Sequence, residues 1–276
     1  MEGFFKPLIA EPVKHLYKLA TDREYFTYCR FASRLWWVPR YKPRSVRIRN
    51  HVFRIPDVMS FVYMYKEIFV NKIYEFPASG PIPKILDLGA NIGLSVLFFK
   101  LRYPDSEITA VEADPEIFSY LEQNIIGNNM SGITLLNKAV WNETKTIDFH
   151  SEGADMGSVN PRAGRKVMQI STIDIRDILS NTCFDFIKMD IEGSEKVVLP
   201  VCRNYLSATP FIFVEYHSQV AESQGLSDII SLLEESGFRI HLHPVRISPA
   251  PFNERKIWDG FDMQFNIFGW REKRNL

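Results

Sequence analysis

Cysteine is scarce in this chain. Of 276 residues only three are cysteines, and Cys29, Cys183 and Cys202 form no C-x-x-C pair. An odd, scattered set excludes a disulfide framework and offers no zinc pattern, so a reducing, cytoplasmic setting is expected. Also missing is any run of about 18 or more consecutive apolar residues, which leaves no candidate membrane span. The opening MEGFFKPL has neither the basic head nor the apolar core of a secretion signal. Internal repeats and low-complexity tracts are absent. Net charge is absent too, because 33 basic and 33 acidic side chains cancel.

The cancellation hides an asymmetry. Residues 1–50 hold 11 Lys or Arg against 4 Asp or Glu, an excess of seven positive charges that the remainder offsets. The basic stretch 30–49, with Trp36, Trp37 and Tyr41 interleaved, suits a phosphate-bearing partner or peripheral contact with a membrane surface; the alternative is the solvated face of a capping helix. With 46% hydrophobic and 24% charged residues, the chain has the composition of a soluble globular protein with a full core.

The strongest signal is Lys84–Ser95, KILDLGANIGLS. An apolar strand runs into Asp87, then Gly89 and Gly93, then a helical run, as at a turn where backbone N–H groups approach a ligand. A pyrophosphate-gripping dinucleotide turn has a third glycine, G-x-G-x-x-G, which is missing here. An acid two residues before the first glycine suits a cationic ligand end instead. A second apolar strand, Ile108–Val111, closes on Glu112, the position from which a carboxylate holds two ribose hydroxyls in a doubly wound sheet. The alternative is a tight βα turn that binds nothing.

The wider pattern predicts an α/β fold. Apolar residues at three- and four-residue spacing predict short helices over 12–37, alternation around Asn50-His51 predicts a hairpin over 45–55, and a helix is expected over 58–74. The Pro- and Gly-rich 77–83 marks a boundary, dividing a helical and hairpin N-terminal cap, 1–78, from a core domain, 79–276. In the core, strands are expected at 84–88, 107–112, 132–137, 184–190 and 211–216, with helices at 92–102, 115–128, 194–204 and 226–236. A strand pair at 144–149 and 165–172 flanks a polar loop, 151–164, of binding-loop length. Strands at 238–243 and 263–270 close the sheet as an antiparallel hairpin.

Four segments, ILDLGANIG at 85–93, VEADP at 111–115, FIKMDIEGSE at 186–195 and FVEYH at 213–217, resemble the FkbM-type S-adenosylmethionine-dependent methyltransferases. The third is the most specific, and the resemblance spans about Val58–Trp270. It implies a Rossmann-like class I methyltransferase, with a seven-stranded mostly parallel sheet whose last strand is antiparallel. It also implies one S-adenosylmethionine per chain and O-methylation of hydroxyls on sugars, glycans or glycosylated natural products. In that reading the backbone of Gly89, Asn91 and Gly93 lies along the methionine portion. Asp87 meets its ammonium directly or through water, Glu112 and Ala113 border the ribose, and Asn137, Lys138 and Ala139 border the adenine.

Asp190 and Glu192 stand two apart at a strand end and so face one way. Asp190 can touch both cofactor and acceptor; together the pair can bind acceptor hydroxyls, act as base, or hold a divalent cation such as Mg2+ as hard oxygen ligands. Glu192 can instead cap the helix beginning near Ser194. His217 is the first choice for a base, because an unperturbed imidazole titrates near neutrality. Glu215 can orient it or bind acceptor, and Lys188 suits an ion pair in the cleft. Ser158, in Met156-Gly157-Ser158 of the loop, is a further acceptor candidate. Tyr63 and Glu67 can close over the methionine end. His150, His241 and His243 read as ordinary strand positions.

Three other readings compete. A nicotinamide-dependent oxidoreductase wants the missing third glycine. A nucleic-acid methyltransferase wants an Asn-Pro-Pro-aromatic motif, also missing, so no nucleic-acid partner is expected. A non-catalytic glycan-binding or scaffold protein would have no need of Asp87, Glu112, Asp190 and His217. A hydroxylated small molecule or glycan is therefore the expected acceptor.

Overall fold

Apolar residues at consecutive rather than strictly alternate positions of the central strands, as in Ile85-Leu86 and Phe186-Ile187, ask for cover on both faces. The computed structural model, which describes residues 6–151 and 166–272, supplies it. Strands β3 (Lys84–Leu88), β4 (Glu107–Glu112), β5 (Ile133–Asn137), β9 (Phe186–Met189) and β10 (Phe211–Gln219) pair in parallel. With β11 (Arg239–Arg246) and β12 (Phe261–Trp270) they form one seven-stranded sheet in the order β11-β12-β10-β9-β3-β4-β5. The last strand, β12, slots between β10 and β11 and runs antiparallel to both. The expected α/β sheet with an antiparallel last strand is what forms.

Successive strand residues feed opposite faces. Ile85, Phe186 and Phe213 enter one hydrophobic cluster, while Leu86, Leu88, Ile187, Met189 and Val214 enter the other. Helices α4 (Leu94–Arg102) and α5 (Pro115–Gly127) cover the first face, and α6 (Ile175–Leu179), α7 (Glu195–Cys202) and α8 (Leu226–Glu235) the second. Helix α5 starts where the sequence signals it: Asp114 accepts from the N–H groups of Glu116 and Ile117 ahead of Pro115 in the first turn.

Strand order reverses between β3 and β9. The chain goes one way through β3, β4 and β5 and returns to the other side of β3 for β9 and β10. Such a switch opens a crevice at the carboxyl ends of the strands.

Before β3, helices α1 (Lys6–Thr21) and α2 (Arg23–Leu35) precede the hairpin β1 (Arg44–Ile48) and β2 (His51–Ile55) and helix α3 (Val58–Tyr65). The hairpin pairs Val46 with Phe53 and Ile48 with His51. Helix α3 is shorter than the expected 58–74; it widens into a π-turn over Lys66–Val70 and ends. Phe31, Val46, Ile48, Phe53, Ile55 and Phe61 belong to the same buried cluster as Ile85, Phe99 and Leu121. A separate three-stranded sheet joins β6 (Ala139–Trp141), β8 (Lys166–Asp174) and β7 (Thr146–Ser151), with β7 and β8 antiparallel. Most of the loop expected at 151–164, and with it Ser158, lies outside the described residues.

Candidate functional site

The crevice begins at the turn after β3. Gly89 has φ +79°, and a Cβ there would stand 1.8 Å from the carbonyl oxygen of Asp190, so no other residue fits without moving β9. Its N–H and that of Ala90 donate to the Val111 carbonyl. Asn91, also left-handed at φ 49°, donates its N–H to Glu112 Oε2 at 2.9 Å. Glu112 Oε1 accepts from the Asp114 N–H at 2.9 Å. The carboxylate is thus gripped by backbone on both oxygens while still lining the cavity. Burial pushes its pKa up to about 7, against the pull of those two hydrogen bonds. Ala113, Lys138 and Ala139 line the same end.

Two expectations are corrected here. Asp87 does not reach the cavity as a direct partner for an ammonium. It is 0% exposed, paired with Lys188 Nζ at 3.2 Å, and accepts from Ser95 Oγ at 2.5 Å. Lys188 is the residue that lines the cavity, donating to the Gly89 carbonyl at 2.7 Å and standing 3.5 Å from Asp190 Oδ2. Burial opposes its charge, but Asp87 and Asp190 outweigh it and raise its pKa. The ion pair expected of Lys188 is present. Gly93 is not among the lining residues. Its left-handed turn (φ +88°) lets α4 start against α5, where a Cβ would press to 2.8 Å on Leu121 Cδ1.

At the other end the strand termini of β9 and β10 bring carboxylates together. After Asp190 the chain turns through Glu192 (φ 55°) and Gly193 (φ 96°). Glu195, not Glu192, secures this turn: its Oε1 accepts from the N–H groups of Ile191 (3.1 Å) and Gly193 (3.2 Å). The same oxygen lies 3.3 Å from His217 Nδ1, while Glu192 Oε2 lies 3.7 Å from His217 Nε2. On β10, Glu215 and His217 face one way, opposite Asn266 and Gln264 of β12. The Gln264 amide bridges Glu215 Oε1 and, at 3.2 Å, His217 Nε2. The ring of Phe261 packs 4.8 Å from the imidazole.

These surroundings change the role of His217. Burial opposes the imidazolium, yet Glu192, Glu195 and Glu215 together raise its pKa to about 10. In this arrangement it holds a proton at neutral pH and is not the free base that an unperturbed imidazole would be. Burial and the neighbouring Asp190 carboxylate drive Glu215 well above the usual carboxylate range. Tyr63 and Glu67, from α3 and its π-turn, line the same end. Burial, Glu67 and Glu215 push the Tyr63 hydroxyl up to about 12.

Glu195, Gln264, Asn266 and Arg246 were not singled out by sequence, yet Gln264, Asn266 and Arg246 line the cavity and Glu195 holds its histidine. The alternation of Asp262, Gln264 and Asn266 in the last strand is the signal that could have found two of them. None of residues 30–49 lines the cavity. In that segment Trp36 and Trp37 are 71% and 63% exposed. No helix among the described residues is long and apolar enough to cross a membrane.

Residues 87–240 match the methyltransferase FkbM domain. "Methyltransferase 1" of Beauveria bassiana is 26% identical over 163 residues, covering 50% of this chain and 65% of that protein. The 2-O-methyltransferase NoeI of Sinorhizobium fredii is 26% identical over 160 residues, again 50% of this chain and 65% of its own length. The 31-O-demethyl-FK506 methyltransferase FkbM of Streptomyces tacrolimicus is 26% identical over 117 residues, 41% of this chain and 45% of that one. The chain therefore spans just under two thirds of the first two and under half of the third. Among solved structures, an FkbM methyltransferase from Methylobacillus flagellatus superposes with a TM-score of 0.48 at 18% identity, over 77% of this chain and 53% of that one.

Proposed function

This chain belongs to the FkbM methyltransferase family, and from that premise we propose that it methylates a hydroxyl oxygen of a sugar, glycan or glycosylated natural product, using S-adenosylmethionine. The observation that carries the reading is one cavity with two chemically different ends, Glu112 at one and Asp190, Glu192, Glu215 and His217 at the other. These residues fit the cofactor. Glu112 is fixed by backbone to accept ribose hydroxyls, the Gly89–Asn91 turn leaves backbone space beside it, and Lys138 and Ala139 border the base. The carboxylates at the far end suit a positive sulfur.

Bound there, S-adenosylmethionine supplies a methyl carbon whose bond to sulfur breaks as the acceptor oxygen bonds to it, the electron pair staying on sulfur. The protein's own work is positioning and proton handling. Asp190 and Glu192 accept from the acceptor's hydroxyls and aim one oxygen at the methyl. The proton it releases passes to the carboxylates of the cluster, since His217 already holds its own. Tyr63 and Glu67 bring the segment 1–78 to this end, the basis for assigning it acceptor recognition. Oxygen as the acceptor atom accords with two relatives named for O-methyl positions.

Calorimetry tests the reading. S-Adenosylmethionine and its demethylated product are expected to bind the wild type at micromolar concentration, with binding lost in Glu112→Ala and NADH not binding. Failure of both sulfur nucleosides to bind would overturn it. Binding would justify a screen of hydroxylated acceptors, in which transfer only to nitrogen or carbon would sink the oxygen assignment.

A further inference from the structure

Four carboxylates converge on one imidazole at the acceptor end of the cavity. Glu195 lies 3.3 Å from His217 Nδ1, Glu192 lies 3.7 Å from Nε2, and Glu215 is bridged to the ring by the Gln264 amide. Asp190 completes the group. One oxygen each of Asp190 and Glu192 and a ring nitrogen of His217 lie within 4.8 Å of one another. Lys188 is held by Asp87 and by the carbonyls of Leu88 and Gly89, and its ammonium also stands 3.5 Å from Asp190 Oδ2, so it offsets part of the negative charge. We propose that Asp190, Glu192 and His217 Nε2 hold one divalent cation, which takes a hydroxyl of the acceptor as a further ligand.

Three features support it. With bonds of about 2.1 Å, two ligands of one ion stand roughly 3 to 4 Å apart, and the Glu192–His217 separation of 3.7 Å falls in that range. The histidine is oriented as a ligand would be. A carboxylate that is 1% exposed, Glu195, occupies Nδ1, and Phe261 packs on the ring, so Nε2 faces Glu192 and the Gln264 amide, 3.2 Å away. A bound ion would displace that amide contact and the imidazole's second proton. Separately, Asn266 is 2% exposed, lines the same cavity, and has no hydrogen-bond partner for its buried Oδ1. A water on the ion would supply that partner. Two carboxylate oxygens and one imidazole nitrogen suit Mn2+ or a similar first-row ion better than Ca2+, which takes oxygen ligands.

The proposal rests on the methyl-transfer reading only for the cation's purpose. An acceptor hydroxyl on the ion is oriented and made more acidic. Binding itself is tested apart from activity. Chelator-stripped full-length protein is titrated with MnCl2 while electron paramagnetic resonance follows the free aqueous ion. One Mn2+ per chain is expected, bound at least about tenfold more weakly in Glu192→Gln and in His217→Ala, and unchanged in the control Asp228→Asn. Should His217→Ala lose its thermal transition, Glu192→Gln decides, because that side chain is 18% exposed and packs in no core. No Mn2+ uptake by the wild type at about 1 mM, or equal uptake by Glu192→Gln, overturns the proposal. Calorimetry with the demethylated nucleoside in EDTA separates the two claims. Nucleoside binding without Mn2+ uptake removes the cation alone, and Mn2+ uptake without nucleoside binding removes methyl transfer and leaves the ion.

Discussion

Glu112 shows how a single side chain can be set for binding at a cost to stability. Its pKa is raised to about 7, chiefly by burial. The folded carboxyl therefore takes up a proton between pH 4.5 and 7 that the unfolded chain has released, and stability falls as pH rises through that window, by about 3 kcal/mol at most. In the proposed ribose role the sign is opposite, since the ionised form would accept both hydroxyls. The Kd for S-adenosylmethionine measured by calorimetry from pH 5.5 to 8.5 is expected to rise up to about tenfold per unit below pH 7, and to lose that slope in Glu112→Gln; a flat wild-type profile would contradict the assignment. Gly89→Ala is expected to cost at least about 3 kcal/mol in urea unfolding, because the new Cβ would meet the Asp190 carbonyl at 1.8 Å; unchanged stability would show that β9 can yield. That Gly89 and Glu112 line one cavity was legible because each closes its own apolar strand, a local signal. The withdrawal of Asp87 was not, because its partner Lys188 lies 101 residues on, and the protonated state of His217 was not, because Glu195 stands 22 residues before it.

Helix α5 does more than cover the sheet. Asn124 and Asn128, one helical turn apart, present their amides to the edge of β2 as a neighbouring strand would present peptide groups. Asn124 Oδ1 accepts from the Arg54 N–H at 2.7 Å, and its Nδ2 donates to the carbonyls of Arg54 (3.0 Å) and Ile92 (2.9 Å). Asn128 repeats the pattern on the N–H and carbonyl of Val52. The hairpin's edge is thereby satisfied by side chains. Asn124→Ala leaves the buried Ile92 carbonyl and the part-buried N–H and carbonyl of Arg54 without these partners and is expected to cost about 1–3 kcal/mol, read as a lower midpoint in thermal or urea unfolding. Asn128→Ala, at an exposed position, is expected to cost less than half as much, and equal losses would argue against this docking. Strand and helix order was readable from periodicity in the seven-stranded sheet, and the hairpin from its alternation about Asn50, but the short strand Ala139–Trp141 and helix Ile175–Leu179 are too brief to show a period. The end of α3 was not readable, because the π-turn at Lys66–Val70 follows from tertiary packing of Ile68 and Phe69 and leaves no local breaker in the sequence.

At the scale of the molecule, the question is whether the first 78 residues are an accessory or part of the fold. Sequence reading separates them at the Pro- and Gly-rich 77–83, since composition changes there. The core does not change there. Phe53, Ile55 and Phe61 are all 0% exposed and lie in one cluster with Ile85, Val96, Phe99 and Leu121, and Phe76 stacks on Phe186 of β9 with ring centroids 4.8 Å apart. Removing the segment would bare the face of the sheet that α4 and α5 only partly cover. Six large buried side chains, Phe31, Ile48, Phe53, Ile55, Phe61 and Tyr65, would leave with it, each contributing roughly 1.5–3 kcal/mol of burial. That sum, about 9–18 kcal/mol, is as large as the net stability of an ordinary domain, about 5–15 kcal/mol. A chain begun at residue 79 is therefore expected to be insoluble or to lack a cooperative thermal transition, and intact protein to unfold in one calorimetric transition rather than two. A chain begun at residue 22, which keeps α2 and the hairpin and drops α1, is expected to retain that transition, because Val13, Leu16 and Tyr17 of α1 are more than half exposed. Two separated transitions, or a soluble and cooperative 79–276, would instead make the first 78 residues an independent cap.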